Sequence, residues 1–241
     1  MPHDLFLAER LPQAERWEEL LDSPPSLREA SPSVHIETDD WEAFLADRSS
    51  NFRQQVRKFE RRLARDHGLR YRRTEDPDRL EQDLDIVFGL HALRWGEGQT
   101  EFQGGHARAL HRDFAAAALE RGWLRLWIAE LNGRPAAAWY GFRFGGADWF
   151  YQQGRDPAFE RTSVGFVLTA HALREAVRDG MREYKLLLGD EDYKGRFATQ
   201  DDGLETFSLP RTHVGRFGLI AARGSHRLPT PVARALRRAV V

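Results

Sequence analysis

Apolar residues recur along the chain with two periods, and each period predicts one kind of element. Helical spacing predicts helices over residues 51–67, 78–95, 106–121 and 163–179, and a short helical turn at 193–198. The clearest stripe consists of Phe52, Val56, Phe59 and Leu63, with Gly68 as a natural C-terminal stop. A serine or threonine cap precedes the helix at 163–179, and Gly180 follows it.

Alternating or short continuous apolar runs predict strands over residues 69–73, 123–131, 135–144, 147–153, 183–189 and 203–209. Asn132–Gly133 and Gly145–Gly146 are turn pairs, so three of these strands follow one another as antiparallel neighbours. Leu186, Leu187 and Leu188 form an apolar run closed by Gly189, which is typical of a central strand.

These elements predict an α+β fold with a mixed, mostly antiparallel central sheet flanked by helices. We expect one domain over residues 49–210. Residues 1–48 hold short amphipathic fragments separated by prolines, so we expect an extended lead-in. Residues 211–241 contain seven arginines and no carboxylate. This basic tail could contact an acidic membrane, another subunit or an acidic surface of its own chain, unless it is simply solvated.

The amino-acid composition excludes several classes of function and binding site. The 241 residues carry a formal net charge of −1, so the average surface gives no reason to expect DNA binding. The chain has no cysteine, which excludes disulfides, thiolate nucleophiles and cysteine-based metal sites. No basic-then-apolar signal pattern and no run long enough to span a membrane occur, so we expect a cytoplasmic protein.

Common catalytic motifs do not occur. The sequence has no G-x-S-x-G elbow, no phosphate-binding G-x-x-x-x-G-K-[ST] loop and no H-E-x-x-H pair. The nine histidines form no ligand cluster. We therefore expect neither a serine hydrolase nor a bound metal.

Candidate chemistry lies directly after Gly189, where a strand end would open into a crevice. Asp190, Glu191, Tyr193, Lys194 and Arg196 follow within seven residues. Lys194 is one of only three lysines among 36 basic residues, and a titratable ammonium does not replace a guanidinium at random. The alternative is a solvated loop that happens to carry charges.

Several short motifs occur in the order of the predicted elements. They are Arg94–Trp95, Leu131-Asn-Gly-Arg-Pro135, Tyr151-Gln-Gln-Gly154, Ser163-Val-Gly165 and Leu188-Gly-Asp-Glu-Asp-Tyr-Lys194. With them, residues 57–209 resemble GNAT-superfamily acyltransferases. The resemblance is narrower to the CelD-like acetyltransferases of cellulose and exopolysaccharide biosynthesis, which are related to the Fem-type transferases that add amino acids to peptidoglycan precursors.

The resemblance implies a GNAT-like fold in which a splayed pair of strands grips the pantetheine arm of acetyl-CoA or another acyl-CoA. The pyrophosphate would lie near the helix that begins at Ser163, whose free N–H groups favour an anion. The implied cofactor-binding residues are Arg155, Arg161, Ser163, Val164 and Gly165. Val164 and Phe166 stand where the family usually has small residues, so we expect their side chains to hinder close approach of a pyrophosphate.

The resemblance also implies catalytic roles. Tyr193-Lys194-Gly195-Arg196-Phe197 matches a Fem pattern in which the lysine lies at the reaction centre. Lys194 would stabilise the oxyanion or hold the donor carbonyl, Asp190 or Glu191 would accept the acceptor's proton, and Tyr193 would protonate the leaving thiolate. Lys194 could instead be only an ion-pair partner of one of those carboxylates. The implied acceptor site contains Arg94, Trp95, Glu97, Glu101, Tyr151 and Arg196.

We therefore expect an acetyl-CoA-dependent N- or O-acyltransferase acting on a polysaccharide, another glycan or a small cell-envelope precursor. Two alternatives stay open: a Fem-like enzyme that uses aminoacyl-tRNA, and a non-catalytic GNAT-fold module that binds through the basic helix at 51–67 and the basic tail. Family members usually carry two tandem GNAT-like domains, so residues 1–48 are expected to be a remnant of the first. A homodimer or a partner protein would then replace it.

Overall fold

The computed structural model describes residues 4–13, 16–96, 102 and 104–214. The strands are β1 (Leu5–Pro12), β2 (Leu27–Glu29), β3 (Pro32–His35), β4 (Arg70–Arg73), β5 (Leu124–Leu131), β6 (Arg134–Phe144), β7 (Ala147–Arg155), β8 (Glu183–Lys185), β9 (Gln200–Asp201) and β10 (Leu204–Pro210). The helices are α1 (Trp17–Leu21), α2 (Trp41–Ala46), α3 (Ser50–His67), α4 (Pro77–Trp95), α5 (Gly104–Glu120), α6 (Val164–Arg178) and α7 (Asp192–Phe197), with a 3₁₀ helix at Pro157–Thr162.

The chain forms two compact units. The larger is the continuous stretch Pro32–Asp201, and the smaller combines described residues of Met1–Ser31 and Asp202–Val241. In the smaller unit β10 lies between β1 and β2 in a three-stranded antiparallel sheet. The larger unit includes β3 and α2, which belong to the segment that we expected to precede the domain. The assignment of residues 49–210 as the functional domain therefore remains a prediction.

The larger unit is built on a seven-stranded sheet in the order β4-β5-β6-β7-β8-β3-β9. All of its neighbouring strands are antiparallel except β7 and β8, which run parallel. This mixed, mostly antiparallel sheet is the one that the sequence predicts. The β5–β6 turn has positive φ at both Asn132 and Gly133, as a tight hairpin requires.

Both faces of this sheet are covered. One apolar cluster joins α2, α3 and α6 to side chains such as Trp127 and Trp139, and the other joins α4 and α5 to Leu126, Ile128 and Tyr140. The alternation along β5 and β6 sends neighbouring residues to opposite clusters. None of the described helices has the length and apolar character needed to cross a bilayer.

The strand predicted at 183–189 is wrong in its second half. β8 ends at Lys185, and Leu187 adopts a left-handed backbone conformation with φ of 57°. A leucine rarely takes this conformation, because its Cβ crowds the backbone. The chain consequently turns away from the sheet within the Leu186–Leu188 run.

Candidate active site

β7 and β8 separate partway along their length. Their parallel pairing ends at Trp149 and Lys185, whereas β7 continues to Arg155. A cavity of about 190 Å³ lies where the strands part, lined by residues 150–153 of β7, residues 186–188, the end of α4 and α7. We call this space the inner cleft.

A bulge in β7 decides which side chains face which layer. Gln152 pairs with Tyr140 and Phe150 with Gly141, so Tyr151 is an extra residue in the ladder. Tyr151 packs on the α4–α5 side, and Oε1 of Gln152 lies 3.2 Å from Nε2 of His91 on α4. The bulge therefore places two consecutive side chains towards the same layer.

Gln153 faces the opposite layer and fastens β7 to α6. Its buried Nε2 donates to the carbonyl oxygen of Gly165 and to Oγ1 of Thr169, each at 3.0 Å. Gly165 leaves room for this arrangement, because a Cβ at that position would come within 3.1 Å of Oε1 of Gln153.

Lys194 is the most deeply buried ionisable group of the inner cleft, with only 4% of its surface exposed. Its Nζ donates to the carbonyl oxygen of Leu188 and forms an ion pair with Glu191 at 2.9 Å. Burial opposes ionisation of Glu191, but the hydrogen bond from Lys194 and the nearby Arg94 outweigh it, so the pKa of Glu191 is lowered. The structure brings together the lysine and one of its two predicted partners.

Tyr193 lies beside this ion pair. Burial and the charge of Glu191 raise the pKa of its phenol to about 12, so the hydroxyl carries its proton at neutral pH.

α4 contributes the opposite wall because it lies directly on β7. A Cβ on Gly154 would overlap the backbone of Leu90 and His91, so only glycine allows this approach. Arg94 follows one turn later, donates to the carbonyl oxygen of Gln153 at 3.3 Å and lies 4.5 Å from the ring centroid of Trp95.

A second space, the outer cleft of about 210 Å³, adjoins the first through the shared residues Arg94, Gln153 and Tyr193. It is further lined by Arg155, Glu160, Ser163, Gly165, Phe166, Thr169, Arg196 and Phe197. The outer cleft thus lies at the N-terminus of α6, where backbone N–H groups and the helix dipole favour an anion.

The start of α6 differs from the expectation in two respects. Ser163 precedes the helix but has φ of 65°, and its side chain makes no capping hydrogen bond within the described residues. The expected obstruction by Val164 is wrong, because its side chain lies in the core with 1% exposure. Phe166 does line the outer cleft, where it packs against Phe52 and Phe197.

Comparisons with known proteins bear on the family and the fold of the chain. The family model described as an acetyltransferase (GNAT) domain matches residues 50–195, more than half of the chain. The chain belongs to the GNAT acetyltransferase family. Strands β7 and β8 diverge, as the resemblance to this family implies.

Solved structures share this GNAT fold at low sequence identity. The C-terminal domain of a putative lysylphosphatidylglycerol synthetase from Agrobacterium fabrum aligns with a TM-score of 0.57 and 10% identity, over 91% of this chain and 66% of that one. FemX aligns with a TM-score of 0.55 and 11% identity, over 90% and 68%. A conserved protein of unknown function from Bacteroides thetaiotaomicron aligns with a TM-score of 0.53 and 15% identity, over 86% and 62%.

The present chain therefore spans roughly two thirds of the length of these chains. A search of curated proteins finds no significant match.

The cleft of this GNAT chain contains most of the residues that the sequence predicted. The inner cleft includes Arg94, Trp95, Tyr151, Glu191, Tyr193 and Lys194, and the outer cleft adds Arg155, Ser163, Gly165 and Arg196. Asp190 and Arg161 are exposed and lie outside the lining of both spaces. Glu97 and Glu101 lie outside the described residues, and no cluster of metal-ligating side chains occurs within the described part of the chain.

Sequence reasoning missed Gln152 and Gln153 as site residues. Two consecutive polar residues interrupt the apolar pattern of β7, and this break was the available signal. The bulge itself left no such signal in the sequence; it turns Tyr151 and Gln152 towards one layer, whereas Gln153 faces the other.

Proposed function

We propose that the chain transfers an acyl group from acetyl-CoA or another acyl-CoA to an amine or hydroxyl of a polysaccharide or cell-envelope precursor, as the CelD-like resemblance implies. The observation that carries the proposal is the divergence of β7 from the Leu186–Leu188 segment, with Lys194 in the cleft between them. This opening offers an extended pantetheine arm a slot between two backbone segments.

The donor fits the charge distribution of the cleft. Arg94, Arg155 and Arg196 line the outer cleft together with the carboxylate of Glu160, which lies 3.4 Å from Arg155. The lining is therefore net cationic, and it adjoins the N-terminus of α6. A pyrophosphate would be stabilised there by the guanidinium groups and by backbone N–H groups.

The chemistry of the inner cleft follows from its ionisation states. The acceptor's nitrogen or oxygen would attack the thioester carbonyl carbon, and the Lys194 ammonium would stabilise the negative charge that develops on the carbonyl oxygen. The carbon–sulfur bond then breaks. Glu191, ionised at neutral pH, would take the acceptor's proton, and the protonated phenol of Tyr193 would donate to the departing thiolate.

The acceptor would approach along α4. Trp95 is exposed, and Arg94 stacks beside it, so together they offer an aromatic face and a cation to a sugar ring with anionic substituents. The likeness to a domain of a putative lysylphosphatidylglycerol synthetase supports an envelope-related acceptor.

A second candidate function is transfer from an aminoacyl-tRNA, as in the Fem relatives. The likeness to FemX favours it, and the arginines of the outer cleft would suit a phosphate backbone as well as a pyrophosphate. We also propose that the chain acts together with a second copy or a partner protein, and that the basic tail makes a peripheral membrane contact.

The test is a transfer assay on the full chain with acetyl-CoA, following release of the CoA thiol in the presence of amino sugars, exopolysaccharide and peptidoglycan-precursor amines. The proposal predicts that thiol is released only when one class of acceptor is present. It also predicts that this release is lost in a variant that combines Tyr193→Phe with Lys194→Met. Parallel reactions with charged tRNA test the second candidate. Transfer from tRNA without thiol release would replace the first proposal, and inactivity with both donors would favour a binding module.

A further inference from the structure

Arg48 lies outside the cleft, yet it contacts the helix that carries the proposed catalytic groups. It lies between α2 and α3, two residues before both α3 and the stretch that matches the GNAT family begin. Its Nη2 donates to the carbonyl oxygens of Arg196, Phe197 and Ala198, at 3.2, 2.6 and 3.3 Å. These are the last carbonyls of α7, which lack partners within the helix itself.

The guanidinium group is held in a fixed position. It lies 5.9 Å from the ring centroid of Phe44 and 5.1 Å from that of Phe52, so two aromatic rings enclose it. Burial lowers the pKa of Arg48. Its Nε has no hydrogen-bond partner within the described part of the chain. Burying this nitrogen costs free energy, which the hydrogen bonds to α7 offset.

The backbone of this arginine is held as well. Nη1 of Arg53 donates to the carbonyl oxygen of Arg48 at 2.6 Å and to that of Ala46 at 2.8 Å. These two hydrogen bonds therefore fix the backbone between α2 and α3, from which the Arg48 side chain extends.

α7 needs such support because it is short. It has only six residues, and Glu191 at its start makes no side-chain capping hydrogen bond within the described residues. A helix of this length is unstable alone. Phe197 also anchors the helix, because it packs edge-on against Phe52 at 5.3 Å. The cation at its C-terminus also complements the helix dipole.

We propose that Arg48 is a positioning residue for acyl transfer: it caps the C-terminus of α7 and thereby fixes Tyr193 and Lys194 against the inner cleft. The role in catalysis rests on the proposed function, whereas the capping of α7 can be tested without it. Arg48 does not touch the cleft residues that would contact the thioester, so it acts only through α7.

The test compares Arg48→Met and Arg48→Lys with the wild type. The matched control is Arg57→Met, which removes an exposed arginine of α3 that pairs with Glu42 of α2. Amide hydrogen exchange over residues 192–199 reports on the capping. Affinity for acetyl-CoA and the separate values of kcat and KM report on positioning.

In Arg48→Met we expect exchange over residues 192–199 to accelerate about tenfold or more while exchange in β5–β7 stays within about twofold. We expect kcat to fall about tenfold or more with KM for acetyl-CoA nearly unchanged, because a small misplacement of reacting groups affects the chemical step. Arg48→Lys should recover part of both effects, and Arg57→Met should resemble the wild type.

Unchanged exchange over residues 192–199 in Arg48→Met would overturn the capping role. Accelerated exchange with an unchanged kcat would overturn the positioning role. If Arg48→Met does not fold, Arg48→Lys carries the same comparison. If the wild type shows no transfer with any donor, the proposed function fails, and the exchange data still decide whether Arg48 caps α7.

Discussion

At the scale of single residues, the ion pair between Lys194 and Glu191 is the centre of the site. The sequence indicated this cluster because a rare lysine follows an apolar run and a glycine. The structure buries the lysine beside the opening between β7 and β8, so little of its side chain is exposed to solvent. Which of the two neighbouring carboxylates pairs with Lys194 depends on the backbone turn at Leu187, which no local pattern indicated.

Replacing Lys194 by methionine removes this charge and keeps most of the side-chain volume. We predict a loss of kcat of about 10²-fold or more, the size expected for removing one oxyanion-stabilising group. Steady-state thiol release measures it. The control is Lys58→Met, which removes an exposed lysine on α3 and should leave kcat unchanged. Equal activity of Lys194→Met and the wild type would show that Lys194 is only a structural ion-pair partner.

His171 makes stability depend on pH. Its ring is buried, stacks on Tyr71 at 3.8 Å and accepts a hydrogen bond from Arg174 at Nδ1. Burial and the charges of Arg174 and Arg178 lower its pKa to about 3 from the ordinary 6.5. Below pH 6.5, His171 is therefore protonated in the unfolded chain but stays neutral in the native state. The free energy of unfolding consequently falls as the pH falls through that range.

The expected loss is about 1.4 kcal/mol for each pH unit below 6.5, until the native pKa is approached. Urea unfolding at pH 7.5, 6.0 and 5.0 measures it. In His171→Phe the ring stays stacked but cannot titrate, so the free energy of unfolding should vary less over this range. Identical pH profiles for the two proteins would show that His171 is not the responsible group.

At the scale of elements, strong local signals correctly predicted α3, α4, α6 and the β5–β7 meander. Their apolar periods are long, and glycine or proline marks their ends. The Leu186–Leu188 run was misassigned because a buried apolar segment has the same composition whether it pairs or turns away. Strands β1 and β2 were not predicted, since their side chains are mostly exposed and lack alternation.

The close approach of α4 to β7 gives a prediction for two glycines. Gly154→Ala should destabilise the protein by about 2 kcal/mol, because the added methyl group overlaps the α4 backbone. It should also displace Arg94 and weaken acyl-CoA binding. Chemical denaturation and titration calorimetry measure the two effects.

Gly89 supplies the control within the same helix. A Cβ there meets no atom within 4 Å, so Gly89→Ala should stabilise α4 by about 0.5–1 kcal/mol through helix propensity. If both alanine variants had the same stability, the argument that Gly154 is required for the contact between α4 and β7 would be wrong.

At the scale of the whole molecule, both large apolar clusters lie within residues 32–201. These residues contain the complete cleft and the whole stretch that matches the GNAT family. The sequence predicted this architecture from the order of its elements. It could not predict which strands flank β10, because that pairing depends on residues far apart in the chain.

The central claim is that the cleft between β7 and residues 186–188 takes an acyl-CoA with its pyrophosphate at the N-terminus of α6. Titration calorimetry of the full chain with acetyl-CoA tests it most directly, with Arg155→Ala and Arg161→Ala as a matched pair. Arg155 lines the outer cleft, whereas Arg161 lies on the exposed surface nearby.

We predict micromolar binding that Arg155→Ala weakens about tenfold, or about 1.4 kcal/mol, and that Arg161→Ala changes much less. Absence of binding at millimolar acetyl-CoA, or equal weakening by both substitutions, would contradict the assignment of the outer cleft as the pyrophosphate site.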